Sequence, residues 1–173
     1  MSNTDYFQLF ALPKQYAIDT KQLENNYRKI QSTSHPDRFV NASAAEKLAS
    51  MQLATLSNEA YSTLKNSANR AKCLLELQGI DAIAETNTAL PMDFLMQQME
   101  SREQLEDSKQ AGDIDALEKL YVTLRAESRS METTLCDLLD IKQDYVAATE
   151  LTRKLIFVEK VCADIQQAIE HLD

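Results

Sequence analysis

An all-α fold is predicted for these 173 residues from three observations. Leucine, alanine, glutamate, glutamine and lysine dominate, and these side chains lose little freedom in a helix. Only two glycines (Gly79, Gly112) and three prolines (Pro13, Pro36, Pro91) interrupt the chain, and no run of alternating β-branched residues reads as a strand. Apolar residues recur instead at three- and four-residue steps. The length suffices to bury a core as one domain or two small ones.

The first element is a short helix over Asp5–Leu12, with Tyr6, Phe7, Leu9, Phe10 and Leu12 on its apolar side. Pro13 is expected to end it, because the residue before a proline is pushed out of the α region. Asp19 or Thr20 can cap the next helix by accepting from an orphan backbone N–H. Its inward stripe is Leu23, Tyr27 and Ile30, and Lys21, Arg28 and Lys29 project elsewhere. Pro36 stops this helix. After the loop His35–Ser43, with Ser43 as a cap, a third helix aligns Ala45, Ala49, Leu53, Leu56, Ala60 and Leu64. Two long helices on a short loop pack antiparallel. Asn66-Ser67 interrupts the pattern, Ala68–Gln78 resumes it, and Gly79 is placed to end it in a left-handed conformation.

Residues 80–91, ending at Leu90-Pro91, read as a linker, which divides the chain into domains over 1–79 and 92–173. The second domain carries helical patterns over Met92–Gln110, Asp113–Leu139 and Asp144–Leu172, with turns at Gly112 and Ile141–Gln143. Leu117, Leu120, Leu124, Met131, Leu135 and Leu138 form one stripe. Ala148, Leu151, Leu155, Val158, Cys162, Ile165, Ile169 and Leu172 form a cleaner one. An antiparallel three-helix bundle follows.

The net charge of −9 is uneven. Residues 1–76 hold nine Lys/Arg against seven Asp/Glu, and residues 77–173 hold nine against twenty. So acidic a second half is a poor nucleic-acid footprint, which needs clustered cations. No apolar run is long enough to span a bilayer, and the first residues lack a signal pattern, so no membrane role is expected. Cys73, Cys136 and Cys162 are far apart, lack Cys-x-x-Cys spacing and fall at or beside apolar helical positions. They read as buried thiols in a reducing cytoplasm, with no metal site and no obligatory cofactor.

His35-Pro36-Asp37 is the most informative triplet. Acid–base catalysis would need a poised imidazole beside a concave pocket, and no second histidine, nucleophile or glycine-rich phosphate loop supports it. On its residues alone the triplet is a turn, with proline fixing φ and aspartate bonding local backbone. On residues 92–106 a helical wheel sets Phe94 and Leu105 on one side and Met92, Leu95, Met96 and Met99 nearly opposite, bordered by Glu100 and Glu103. That methionine side is core, packs against the first domain, or is an exposed protein-binding patch. Phe157 lies about 180° from the last helix's clean stripe at a hundred degrees per residue.

Position and order carry a resemblance. His35-Pro36-Asp37, between a basic helix and an alanine-rich one and preceded by Asp5-Tyr6-Phe7-Gln8-Leu9-Phe10-Ala11-Leu12, resembles the signature of J-domain co-chaperones. Ala11 stands where that family usually has glycine. Arg70-Ala71-Lys72-Cys73-Leu74-Leu75-Glu76-Leu77-Gln78-Gly79, Phe94–Glu103 and Arg153-Lys154-Leu155-Ile156-Phe157 resemble segments of the HscB type, the J-proteins of iron–sulfur cluster assembly. Cys73 replaces a tyrosine, Met99 a leucine, and Asn66-Ser67 an Asp-Pro-like entry. The resemblance spans essentially the whole chain. The N-terminal Cys-x-x-Cys modules of some eukaryotic relatives are absent, which fits a bacterial, cytoplasmic form.

The resemblance implies a non-enzymatic co-chaperone with a J-domain over 1–79. That domain would dock an HscA-like, DnaK-type ATPase chaperone through His35, Pro36, Asp37, Lys21, Arg28, Lys29 and Arg38. Arg28 and Lys29 serve equally well as a solvated face. The bundle would bind an IscU-like iron–sulfur scaffold protein through Leu95, Met96, Met99, Glu100, Glu103 and Phe157. A J-protein with a different client is the alternative reading, and a helical metalloprotein using His35, Asp37 and the cysteines is a third.

Overall fold

Asp5 opens the first helix by accepting from the backbone N–H groups of Phe7 and Gln8. The computed structural model describes residues 5–84 and 89–172, and among them all regular structure is helical. They fall in two compact units that divide between Gln78 and Gly79. Helix α1 (Tyr6–Leu9) is shorter than the Asp5–Leu12 segment expected. It ends at Ala11, whose φ is 50°, before Pro13 can act. The Ala11 N–H donates to the Gln8 carbonyl at 3.1 Å and the Leu12 N–H to the Phe7 carbonyl at 2.9 Å. These paired bonds are a Schellman closure, and they accompany the burial of Phe7, Phe10 and Leu12.

Helix α2 (Thr20–Ser34) is capped by Asp19, which accepts from Lys21 and Gln22 N–H. Helix α3 (Ala44–Lys65) begins with a reciprocal capping box between Ser43 and Glu46, satisfying two orphan donors at once. The two helices run antiparallel, as expected. Tyr27 stacks on Tyr61 with centroids 4.1 Å apart, and the Ser50 hydroxyl donates to the Ser34 carbonyl at 2.7 Å near the opposite end.

The expected α3 stripe needs correction in its first half. Ala45, Ala49 and Leu53 are exposed, and the inward line is Ser50, Ser57, Ala60 and Leu64. Helix α3 has 22 residues against 15 in α2, so its first turns extend past the end of α2 and meet only the short Pro36–Phe39 turn. Helix α4 (Ser67–Leu77), capped by Asn66, buries Ala68, Ala71, Cys73 and Leu75. The core of this unit gathers Phe7, Phe10, Leu12, Leu23, Ala60, Leu64 and Cys73. Fully burying a large apolar side chain contributes about 1.5–3 kcal/mol.

In the second unit, α5 (Met92–Ala111) and α6 (Ile114–Cys136) are joined through Gly112 at φ 65°. A wider π-type turn over Asp137–Lys142 and a left-handed Gln143 (φ 53°) lead into α7 (Tyr145–Leu172). The core contains Phe94, Leu105, Leu117, Leu120, Leu124, Val158, Val161, Cys162 and Ile165. Helix α7 buries more than one stripe, since Thr149, Thr152 and Arg153 are inside as well. Ala82, in the expected linker, is fully buried, and its carbonyl accepts from Arg153 Nε at 2.6 Å. A deeply placed guanidinium thus holds the residues just after Gly79 against the bundle.

Candidate functional site

The His-Pro-Asp triplet sits at the tip of the α2–α3 hairpin. Pro36–Phe39 forms one 3₁₀ turn, with proline supplying the fixed φ of a first helical position. The Asp37 N–H donates to His35 Nδ1 at 3.3 Å, and Asp37 Oδ2 lies 3.5 Å from that nitrogen. Both side chains are largely exposed, at 60% for His35 and 87% for Asp37. With both side chains this open to solvent, the geometry is that of a presented pair.

The four cations expected beside the triplet do not behave alike. Arg38 folds back to donate to the Ser32 carbonyl at 2.8 Å, satisfying an orphan acceptor at the end of α2. Arg28 pairs with Glu24 one turn earlier at 2.5 Å. Lys21 and Lys29 are exposed and hold no ion pair among the described residues. An open groove lined by Arg28, Gln31, Ser34, His35, Pro36 and Asn58 runs along the hairpin beside the triplet.

Helix α5 carries the other set. Its inner side buries Phe94, Gln98, Ser101, Leu105 and Ser108. The methionine side is outside: Met92 is 72% exposed, Met96 56% and Met99 70%. Leu95 is half-buried, and Glu100 and Glu103 are exposed. On the bundle residues alone a core role was open for these methionines, and their exposure closes it.

Phe157 joins this surface from α7. Lys154 lies over the Phe94 ring at 5.7 Å, while Arg102 and Lys109 share a groove with Asp164 and His171. The two helices therefore run parallel, with 94 level with 154 and the 102–109 turns level with 164–171. Phe157 lies between Lys154 and Asp164 at three- and seven-residue steps, on the same side of α7. That places it beside the Leu95–Met99 turn, and it is 40% exposed. Met92, absent from the expected binding set, extends the same face. Its place on the wheel opposite Phe94 was the signal that could have included it.

The thiols are structural in their chemistry. Burial, with smaller contributions from Glu76 and Asp5, pushes Cys73 up to about 11. Burial also raises Cys162. Cys136 is half-buried, with its Sγ 3.7 Å from Asp140 Oδ2. No cluster of His, Cys, Asp or Glu arranged to hold a metal ion occurs among the described residues. No helix among them is long and apolar enough to cross a membrane.

A helical hairpin presenting His-Pro-Asp at its tip, in one chain with an acidic three-helix bundle, is the build of a J-domain co-chaperone. The co-chaperone protein HscB homologue of Ralstonia nicotianae is 48% identical over 168 residues, covering 97% of this chain and 96% of that protein. The chain belongs to the HscB family of co-chaperones. The HscB homologue of Azoarcus sp. is 45% identical, with 98% and 96% covered. A family model described as the HSCB C-terminal oligomerisation domain matches residues 90–166. The structure of chaperone HscB from Vibrio cholerae superposes with a TM-score of 0.83 at 34% identity, covering 98% of this chain and 100% of that one. Human co-chaperone protein HscB gives 0.85 at 26%, covering 96% and 83%.

Proposed function

We propose that this co-chaperone serves iron–sulfur cluster assembly in the bacterial cytoplasm by holding an IscU-type scaffold protein on its bundle. It would deliver the scaffold to an HscA-type, DnaK-family chaperone. The exposed α5 face carries the reading. A helix that keeps Met92, Met96 and Met99 in solvent while burying serines and a glutamine inside spends its apolar surface on another molecule. Methionine suits this role because its flexible thioether adapts to a partner's contour. Glu100 and Glu103 on the rim favour a partner with basic residues around an apolar centre, mainly through association rate.

The hairpin tip supplies the second contact. Asp37 offers a carboxylate for an arginine of the chaperone, a charge-assisted bond that is costly to truncate once desolvated. His35 offers its exposed imidazole beside it, and Lys21 and Lys29 provide long-range attraction to an acidic surface. The chain does no chemistry in this scheme. It places the client and the hairpin tip so that the chaperone's own active site hydrolyses ATP.

The deciding experiment is the steady-state ATPase rate of the chaperone with this protein, with and without the scaffold. Stimulation by the protein, increased further by scaffold, is the expected result. His35→Gln should abolish it while leaving scaffold binding intact, because the side chain supports no buried contact. Unchanged stimulation by that variant would refute the docking role. Retention of other proteins but not the scaffold in a pulldown would favour a different client.

A further inference from the structure

Gln98, on the inner face of α5, is a buried side chain whose chemistry the described residues leave unused. It is 4% exposed, and neither Oε1 nor Nε2 has a hydrogen-bond partner among the described residues. Its neighbours on that face solve the problem differently. The Ser101 hydroxyl donates to the Gln97 carbonyl at 3.0 Å, and Phe94 and Leu105 carry no polar group. A buried amide with both ends unpaired costs a desolvation penalty that leucine or methionine at that position would avoid.

The position of the amide matters more than its cost. Gln98 lies three residues from Leu95 and four from Arg102, on the edge of α5 that meets α7. By the parallel register of the two helices it is level with Phe157. It therefore lies on the inner side of α5 next to Leu95, at the level where Phe157 approaches from α7. The side chains above it are flexible or part-exposed, so a partner that displaces them reaches the amide.

We infer that Gln98 is a binding residue of the client surface, its amide pairing with a backbone peptide group of the docked protein. The inference rests on the client-binding reading of α5. A carboxamide presents one donor and one acceptor side by side, the complement of a peptide N–H and C=O on an extended segment or loop. Apolar contacts at Leu95, Met99 and Phe157 would exclude water from that pair. Gln98 would then supply directional selectivity, which the adaptable thioethers cannot.

The test uses the full-length protein with cluster-free IscU-type scaffold as the probe. Gln98→Met and Gln98→Leu should keep the helical signal and melt at or above the wild type. Both should bind the scaffold about 10-fold or more weakly, as the loss of paired bonds in a desolvated site predicts. In the wild type, the Gln98 side-chain NH₂ resonances, assigned by their absence in Gln98→Met, should shift when scaffold is added. Wild-type affinity in either variant, or resonances that do not move, overturns the inference. Loss of helical signal in both variants overturns it too, since the amide would then already have a structural partner. Wild-type protein that does not bind scaffold at all refutes the client reading itself, before any variant is compared.

Discussion

Ala11→Gly should stabilise the first unit, by an amount that follows from one backbone angle. At φ 50° Ala11 occupies the left-handed region, which costs an L-residue roughly 1–2 kcal/mol through the clash of Cβ with the carbonyl oxygen. Glycine removes that clash but gives the unfolded chain more freedom, returning about 0.4–1 kcal/mol. The alanine methyl is exposed, so no packing is lost, and both closing bonds run through backbone atoms that glycine retains. The net gain is about 0.5–1 kcal/mol, equivalent to about 3–6 °C in the melting temperature of a unit this size. Native-state hydrogen exchange on the full chain reads it unit by unit. Amides of Leu23 and Leu64, buried at 1% and 0%, should exchange roughly 2- to 5-fold more slowly, with α6 and α7 amides unchanged. Gln143→Gly, at the other left-handed non-glycine position, should show the reverse pattern. Unchanged or faster exchange in Ala11→Gly would refute the strain argument.

Three further outcomes are expected. Met96→Ser with Met99→Ser should leave the thermal midpoint nearly unchanged, since surface changes stay within about 0.5 kcal/mol, yet weaken scaffold binding in calorimetry; Phe94→Ala, one turn earlier but buried, should cost about 3–5 kcal/mol. Arg153→Met should release the buried bond to the Ala82 carbonyl, costing about 1.5–3 kcal/mol, and exchange of amides near Ala82 should accelerate before that of α6. The first unit should also weaken in alkali. Burial holds Cys73 up to about 11 and Tyr6, helped by its bond to Glu59, up to about 12, from ordinary values of 9.0 and 10.0. Both groups keep their protons longer folded than unfolded, so stability is full below pH 9 and falls as pH rises through 9 to 12. Urea midpoints followed by circular dichroism should show the decline, and Cys73→Ser should flatten its lower part; a midpoint constant to pH 11 would contradict the assignment.

The fold class was legible because helix signals are local. Asp19, Ser43 and Gly79 are placed by capping chemistry that a few residues specify, and each stands at the end it was expected to mark. The first half of α3 was misread for a tertiary reason. Ala45 and Ala49 repeat with helical spacing, but burial also needs a neighbour, and α2 ends too soon to provide one. The end of α1 was misread for a backbone reason. Pro13 announces a stop, whereas the stop occurs at Ala11, an alanine in a conformation that glycine usually supplies. The substitution of that glycine was visible, and the strain it implies was not.

The candidate binding surface was legible in a different way, through a helix whose apolar residues are divided between its two sides. A helix packed on a core normally turns its apolar residues inward. In α5 the two sides are nearly balanced: Phe94 and Leu105 face inward with Gln98, Ser101 and Ser108, while Met92, Met96 and Met99 face solvent. Stability alone would favour the opposite arrangement, with a methionine at 98 and serines outside. The cost is borne at the site itself, as an unpaired amide within and exposed thioethers without. An arrangement that costs folding energy on both faces of one helix is accounted for if both faces are recovered together, when a partner covers the methionines and pairs the glutamine. That coupling links Gln98 to Met99 more tightly than their separate chemistry suggests. Replacing both should therefore weaken binding by less than the sum of the single effects, because each contact depends on the water exclusion the other provides.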